Sequence, residues 1–337
     1  MTRSRRDRAA GLLAAPGISA VARRLPRWRG VLTLNYHRVG DWTGQPWDRT
    51  LWSATAEAFD AQLAMLAREA DVIAPDDVPA ALRSGRPGRR VLITFDDGYR
   101  DNWEIAFPLL RRHGLAATFF LATGFLDFPH VAWWDELAWM VRRSAAGELA
   151  GGGPLPAPLS LRPAEHDATI AALCERYKAL PAERAVELLD EVAAQTGAGR
   201  CPPSEAAQLW MTWDHARELR DGGMRIGGHT VTHPLLSRVS RERQQEEIAG
   251  CARRLADELC EPMRWFAYPV GSRDAFTPAT QELLAAQGVE LAFSFYGGFG
   301  RFAGWQALDV PRVHVGPYHR PQLVFAALVA PRLFARW

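Results

Sequence analysis

Val91-Leu92-Ile93-Thr94-Phe95-Asp96-Asp97-Gly98-Tyr99 is the stretch on which the fold turns. Five apolar, β-branched or aromatic residues run straight into two carboxylates and a glycine. Such a run reads as a buried strand, and the Asp-Asp-Gly as the loop at its carboxyl end. In α/β folds ligands bind at that end. Two neighbouring carboxylates cannot both ionise cheaply there unless positive charge sits beside them, and a metal ion is the simplest source. The competing reading is a solvated Asp-Gly turn.

Strands and helices alternate on either side. Val31 to Asn35 reads as a strand that ends in Tyr36-His37-Arg38. Helical periodicity follows over Phe59 to Glu69, then a short strand at Val72-Ile73 and a helix over Pro79 to Ser84 closed by Gly85. Beyond the opening strand, Trp103 to His113 is helical with Gly114 as its cap, and Ala117 to Ala122 is a strand. This alternation calls for a parallel sheet. It breaks near residue 125 and resumes near 210. Between lie Trp133-Trp134-Asp135-Glu136, a Gly/Pro-rich stretch over 151–158, and helices near 164–178 and 182–195, which together read as a helical insertion. The second half gives strands at 225–227, 265–268, 291–295 and 310–314, with helices at 214–221, 242–259 and up to Gln287. Strands that each feed a helix suggest a barrel rather than an open sheet. The expected organisation is a basic arm over 1–29, a barrel over 30–320 with its insertion at about 125–210, and a C-terminal helix over 321–337.

Bulk composition narrows the function classes. The chain has 337 residues and a net charge of +2, which predicts no nucleic-acid partner. Lys178 is its sole lysine. That removes a Walker A phosphate loop and makes Schiff-base chemistry a poor fit; it reads as genome composition rather than function. Four cysteines without CxxC spacing read as reduced thiols. No run of 18 apolar residues is present, so no transmembrane helix is expected. Arg3, Arg5, Arg6, Arg8, Arg23, Arg24, Arg27 and Arg29 flank a weakly apolar segment broken by Pro16. This makes a poor signal peptide. It reads as a basic amphipathic arm suited to an anionic membrane face, or as an unstructured tail. No G-x-S-x-G elbow points to a serine hydrolase. Gly298-Phe299-Gly300-Arg301-Phe302-Ala303 fits a dinucleotide fingerprint only formally, because no helix pattern follows. Trp133, Trp134 and Trp305 are placed to stack on sugar rings, with core packing as the alternative.

The second informative stretch is Gly227-Gly228-His229-Thr230-Val231-Thr232-His233-Pro234. Two histidines four apart, just after a strand, can face one ion if the backbone turns. Thr230 stands where a zincin carries its glutamate base, which disfavours a metalloprotease. One carboxylate plus two imidazoles is a common catalytic metal set that leaves positions open for water and substrate. The second carboxylate is then free to act as a base.

At these residues the chain resembles the polysaccharide deacetylases, the NodB homology domain of carbohydrate esterase family four. Thr94-Phe95-Asp96-Asp97-Gly98 and His229-Thr230-x-x-His233 look like the first two motifs of that family. Phe266-Ala267-Tyr268-Pro269-Val270-Gly271 looks like a variant of the third, and Leu34-Asn35-Tyr36-His37-Arg38-Val39 resembles an N-terminal strand of many bacterial members. The resemblance covers roughly residues 30–125 and 210–315. It implies a distorted (β/α) barrel and a divalent ion, usually zinc. Asp96 matches the general base, and Asp97, His229 and His233 match the metal ligands. Tyr268 and Pro269 match the groove wall, where a backbone N–H helps hold the oxyanion. Three departures stand out. The family's third-motif arginine, which orients the base, is replaced by Ala267, leaving Arg312 or Arg38 as substitutes at strand ends; Arg312 is also a substrate-binding candidate. The general-acid histidine has only an imperfect match in Arg312-Val313-His314, so His314 and His37 are both candidates for protonating the leaving amine. The helical insertion is not required by the family core.

The expected activity is therefore removal of N-acetyl groups from a polysaccharide or lipid-linked glycan by metal-activated water. Alternatives are deformylation of a lipid-linked formamido sugar, O-deacetylation, and a catalytically inactive carbohydrate-binding protein. The expected compartment is the cytoplasm, at or near the inner membrane face.

Overall fold

The computed structural model of the chain describes residues 5–15, 17–25, 27–316 and 321–335. Arg3, Pro16, Arg336 and Trp337 lie outside the described residues. Nine strands form the main sheet: β1 Gly30–Tyr36, β2 Asp71–Val72, β3 Arg90–Phe95, β4 Thr118–Leu121, β5 Arg225–Gly228, β6 Trp265–Ala267, β7 Leu291–Phe293, β8 Gly300–Arg301 and β9 Arg312–His314. Their order is β7-β6-β5-β4-β3-β1-β8, with β9 also on β1 and β2 also on β3. Every pairing is parallel except that of β8 with β1.

Seven of these strands curl into a barrel with one thin seam. β9 pairs with β1 in register, Thr33 opposite Arg312. Two residues earlier, Val310 bridges Phe293 of β7, its N–H donating to Ala292 O at 2.9 Å. One short segment thus joins the last strand to the first, and the expected distorted barrel is what the sequence folds into.

Side-chain parity divides the interior from the shell. Successive strand residues point to opposite faces. Leu92, Phe120, Trp265, Ala267, Leu291, Phe293 and Val310 form one buried cluster, inside the barrel. Leu34, Tyr36, Ile93, Phe95, Phe119, Leu121, Ile226 and Phe266 join the larger cluster beneath the surrounding helices. Gly227 belongs inside, since a Cβ there would lie 2.6 Å from the Phe120 ring. The lumen is full at its base and turns polar towards the carboxyl ends, where Thr33, Asn35, Thr94 and Arg312 are all fully buried.

Thr123–Asp127, Trp133–Arg143, His166–Ala179 and Ala182–Thr196 are the helices of the inserted stretch. Its Gly/Pro-rich turn is flanked by a two-stranded antiparallel ladder, Glu148–Leu149 with Leu159–Ser160. Two features depart from expectation. Residues 102–106 form a wide π-type turn before the helix Phe107–Arg112, where one regular helix is expected. The C-terminal segment is two helices, Pro321–Val329 and Pro331–Phe334, because proline at 331 cannot continue the first. No helix among the described residues is long and apolar enough to cross a membrane.

Candidate metal centre

Asp97 is the second residue after β3, and Gly98 at φ 90° lets the chain turn away behind it. Asp97 itself has φ 75°, Thr230 68° and His233 58°. Non-glycine residues in the left-handed region are strained, and they cluster where the surroundings over-determine them. The turn after β5 is held by Glu247 from the helix Arg241–Leu259. Its carboxylate accepts the Val231 and Thr232 N–H groups at 2.8 Å each and the Thr232 hydroxyl at 2.5 Å. Thr230 Oγ1 accepts the His233 N–H at 3.0 Å, so the residue in the zincin-glutamate position shapes the turn.

That turn brings both imidazoles to one carboxylate. The Nε2 atoms of His229 and His233 each stand 3.4 Å from Asp97 Oδ1. A charged hydrogen bond would close to about 2.8 Å. Ligands about 2.1 Å from one tetrahedral ion lie about 3.4 Å apart. The spacing is that of a metal set rather than of an ion pair, and all three side chains are buried. His229 Nδ1 lies 2.7 Å from Ala267 O. This assigns the Nδ1 proton and leaves the Nε2 lone pair free to bind a metal ion. Burial pushes His233 down to about 3, with the neighbouring His229 adding to the effect. His233 is therefore neutral, the state in which an imidazole can bind a metal ion. Burial alone would raise Asp97, but the imidazole of His229 beside it holds its carboxyl below the ordinary carboxylate range.

Asp96 is held apart from that cluster. Arg312 donates to both of its oxygens, Nη1 to Oδ1 at 2.6 Å and Nη2 to Oδ2 at 2.8 Å. Asn35 Nδ2 donates to Oδ2 at 3.1 Å. Arg312 in turn reaches Asn35 Oδ1 at 2.9 Å and Ser294 O at 3.1 Å. Burial would raise the Asp96 carboxyl, yet the Arg312 charge, with His229 and His37, holds it well below the usual range. Arg38, the other substitute considered, pairs with Asp101 at 2.8 Å and packs over Trp52.

A cavity of about 380 Å³ opens over these groups. Asp96, Asp97, His229, His233, His37, His314 and Tyr268 line it. Two wall candidates sit elsewhere. Arg312 is fully buried beneath Asp96 and makes no part of the lining. Pro269 is also absent from it; Val270, at φ 61°, takes that place. The backbone N–H expected for an oxyanion is not supplied by this pair. Proline has none, and the Tyr268 N–H donates to Phe293 O at 3.1 Å. His37 Nε2 lies 3.9 Å from Asp96 Oδ2, and the His37 and His314 rings are 6.3 Å apart.

The insertion and the first loop supply the remaining wall. Trp133, Trp134, Cys174 and Lys178 of the insertion line the cavity together with Asp48, Thr50 and Leu51 of the first loop. Trp134 is buried edge-on to His233 at 4.6 Å, its indole N–H donating to Tyr99 Oη at 2.7 Å. Trp133 stacks on Tyr177 at 4.0 Å. Trp305 instead packs against Gly300 at the other end of the barrel. Asp48, Lys178 and Val270 were not singled out from sequence as site residues. Only Lys178 carried a signal, being the chain's one lysine.

Residues 83–146 and 186–292, just over half of the chain, match the family model described as polysaccharide deacetylase. The chain belongs to the polysaccharide deacetylase family. This deacetylase-family chain is 58% identical over 40 residues to YxkH of Bacillus subtilis (strain 168), whose name places it among polysaccharide deacetylases. That match spans 12% of this chain and 14% of the length of YxkH. The fold is shared with the Streptococcus pyogenes deacetylase PplD, solved in complex with acetate: TM-score 0.59, 18% identity, 89% of this chain and 98% of that one. IcaB from Ammonifex degensii gives TM-score 0.57 and 23% identity over 90% of this chain and 99% of its own.

Proposed function

We propose that this polysaccharide deacetylase family member is a metal-dependent hydrolase that removes N-acetyl groups from a polysaccharide or lipid-linked glycan. One observation carries the reading: a compact Asp97–His229–His233 triad beside a separate carboxylate, Asp96, held by its own arginine. Two imidazoles and one carboxylate suit zinc best. When bound, the ion supplies Lewis acidity towards the amide carbonyl and an attacking water.

The chain's own groups do the rest. Asp96 accepts the proton of the attacking water. Arg312 keeps it ionised at every working pH and fixes its direction, at some cost in basicity. His37 lies on the same side as Asp96. His314, next along the rim, is the proposed donor to the leaving amine. Trp133 offers a ring face to the sugar. The four cysteines are unpaired, which supports a reducing compartment such as the cytoplasm.

The deformylase and O-deacetylase readings need the same machinery and differ only in product. The inactive-binder reading rests on Ala267 in place of the third-motif arginine, and Arg312 fills that gap from another strand. The test is acetate release from N-acetylchitooligosaccharides by the zinc-loaded chain, with a chelator control. Chelator-sensitive acetate is expected; formate from a formamido sugar would select the deformylase, and no product from either would favour a binder.

A further inference from the structure

At the opposite end of the barrel lies a cleft of about 810 Å³ that the proposed chemistry does not use. Arg27, Arg29, Arg301 and Arg332 line it, together with Trp28 and Phe299, and no carboxylate does. Among the described residues none of the four arginines has an ion-pair partner. Elsewhere on this surface arginines are routinely paired, as Arg254 is with Asp127 and Arg264 with Asp76. Unneutralised guanidiniums gathered on one face mark a site for phosphate-type anions.

The apolar surface points to what presents those anions. Among the described residues seven large hydrophobic side chains are exposed, and five of them, Leu12, Ile18, Val21, Leu25 and Leu333, belong to the N-terminal arm and the last helix. The arm packs along the helix whose last residue, Val329, lines the cleft: Arg5–Leu13 lies on Pro321–Val329, Trp28 Nε1 donates to Leu328 O at 3.0 Å, and Leu333 lines the cleft itself. A soluble anion needs no such leucines. Arginines beside protruding apolar side chains fit a bilayer, with headgroups on the charges and acyl chains against the leucines.

We propose that this face docks on the phosphate surface of an anionic membrane. Gly30, at the cleft end of β1, pairs with Arg301, whereas Tyr36, at the other end, accepts the Asp96 N–H. Those seven residues span roughly 20 Å. The docked chain therefore holds its catalytic cavity away from the bilayer and works on glycan that extends from it.

Flotation of the full chain with vesicles tests this directly. Binding is expected to phosphatidylcholine mixed with phosphatidylglycerol, not to phosphatidylcholine alone, and should fall as salt rises. The double variant R301E/R332E should lose roughly tenfold or more of the binding, and Leu333→Ser several-fold, with melting temperatures unchanged. Equal flotation with neutral vesicles, no flotation at all, or undiminished binding by R301E/R332E would overturn the proposal. So would capture of the chain by inorganic pyrophosphate or RNA under conditions where mixed vesicles leave it behind.

Discussion

Arg312 grips both carboxylate oxygens of Asp96 from inside the barrel, across 216 positions of sequence. The pair is fully buried, so its two members depend on each other. Removing one partner of such a pair strands a buried charge, at about 3–5 kcal/mol.

Arg312→Lys keeps the charge but loses the two-pronged grip and the contacts to Asn35 and Ser294. We expect kcat to fall by roughly 10–100-fold, with zinc content unchanged. Arg312→Met should lower stability by about 3 kcal/mol or more. Full activity in Arg312→Lys would remove the orienting role.

Asp96→Asn should leave the metal set intact and abolish the base. Turnover should drop by about 10²–10⁴-fold, while zinc binds one ion per chain as before. A loss of zinc in this variant would mean that Asp96, not only Asp97, is a ligand.

The insertion should act on substrate binding rather than on chemistry. Lys178 and Trp133 come from the insertion and line the cavity, and neither belongs to the metal triad or to the Asp96–Arg312 pair. Lys178→Met and Trp133→Ala are each expected to raise KM for oligosaccharides by roughly 5–30-fold, or about 1–2 kcal/mol, with kcat nearly constant. Equal loss of kcat and kcat/KM would place these residues in the chemical step.

Asp135 gives a pH signature. It is fully buried, accepting the Asp48 N–H at 2.9 Å and the Tyr99 hydroxyl at 2.7 Å. Burial pushes it up to about 7 against the pull of the Arg38 charge and these hydrogen bonds. In the unfolded chain it ionises near pH 4. Between about pH 4 and 7 the native state therefore keeps a proton that the unfolded state gives up. Its contribution to stability is fully present below that window and is lost as pH rises through it. The stability of wild type relative to Asp135→Asn should fall between about pH 4 and 7 by on the order of 4 kcal/mol and level off above it. Denaturant midpoints measured across that range check it; parallel pH curves would contradict it.

What could be read from sequence follows from what is local. A strand that runs into Asp-Asp-Gly, and two histidines four apart after another strand, place their side chains through nearby backbone alone. The sheet order needs only the strand–helix alternation. Arg312 stayed one of two options because the choice depends on how β9 closes the seam, which no local pattern encodes. Val270 rather than Pro269 lines the cavity, in a loop where Val270 takes φ 61°, a conformation that residue type does not announce. Asp48 and Lys178 reach the cavity only once the insertion packs across the barrel mouth, a matter of tertiary packing.

The central claim is that Asp97, His229 and His233 share one divalent ion. Calorimetric titration of metal-stripped protein with zinc tests it most directly. The account predicts one tight site per chain in the wild type and in Asp96→Asn, and at least a hundredfold weaker binding, about 3 kcal/mol, in Asp97→Ala and His233→Ala. Unchanged stoichiometry and affinity in either ligand variant would contradict it.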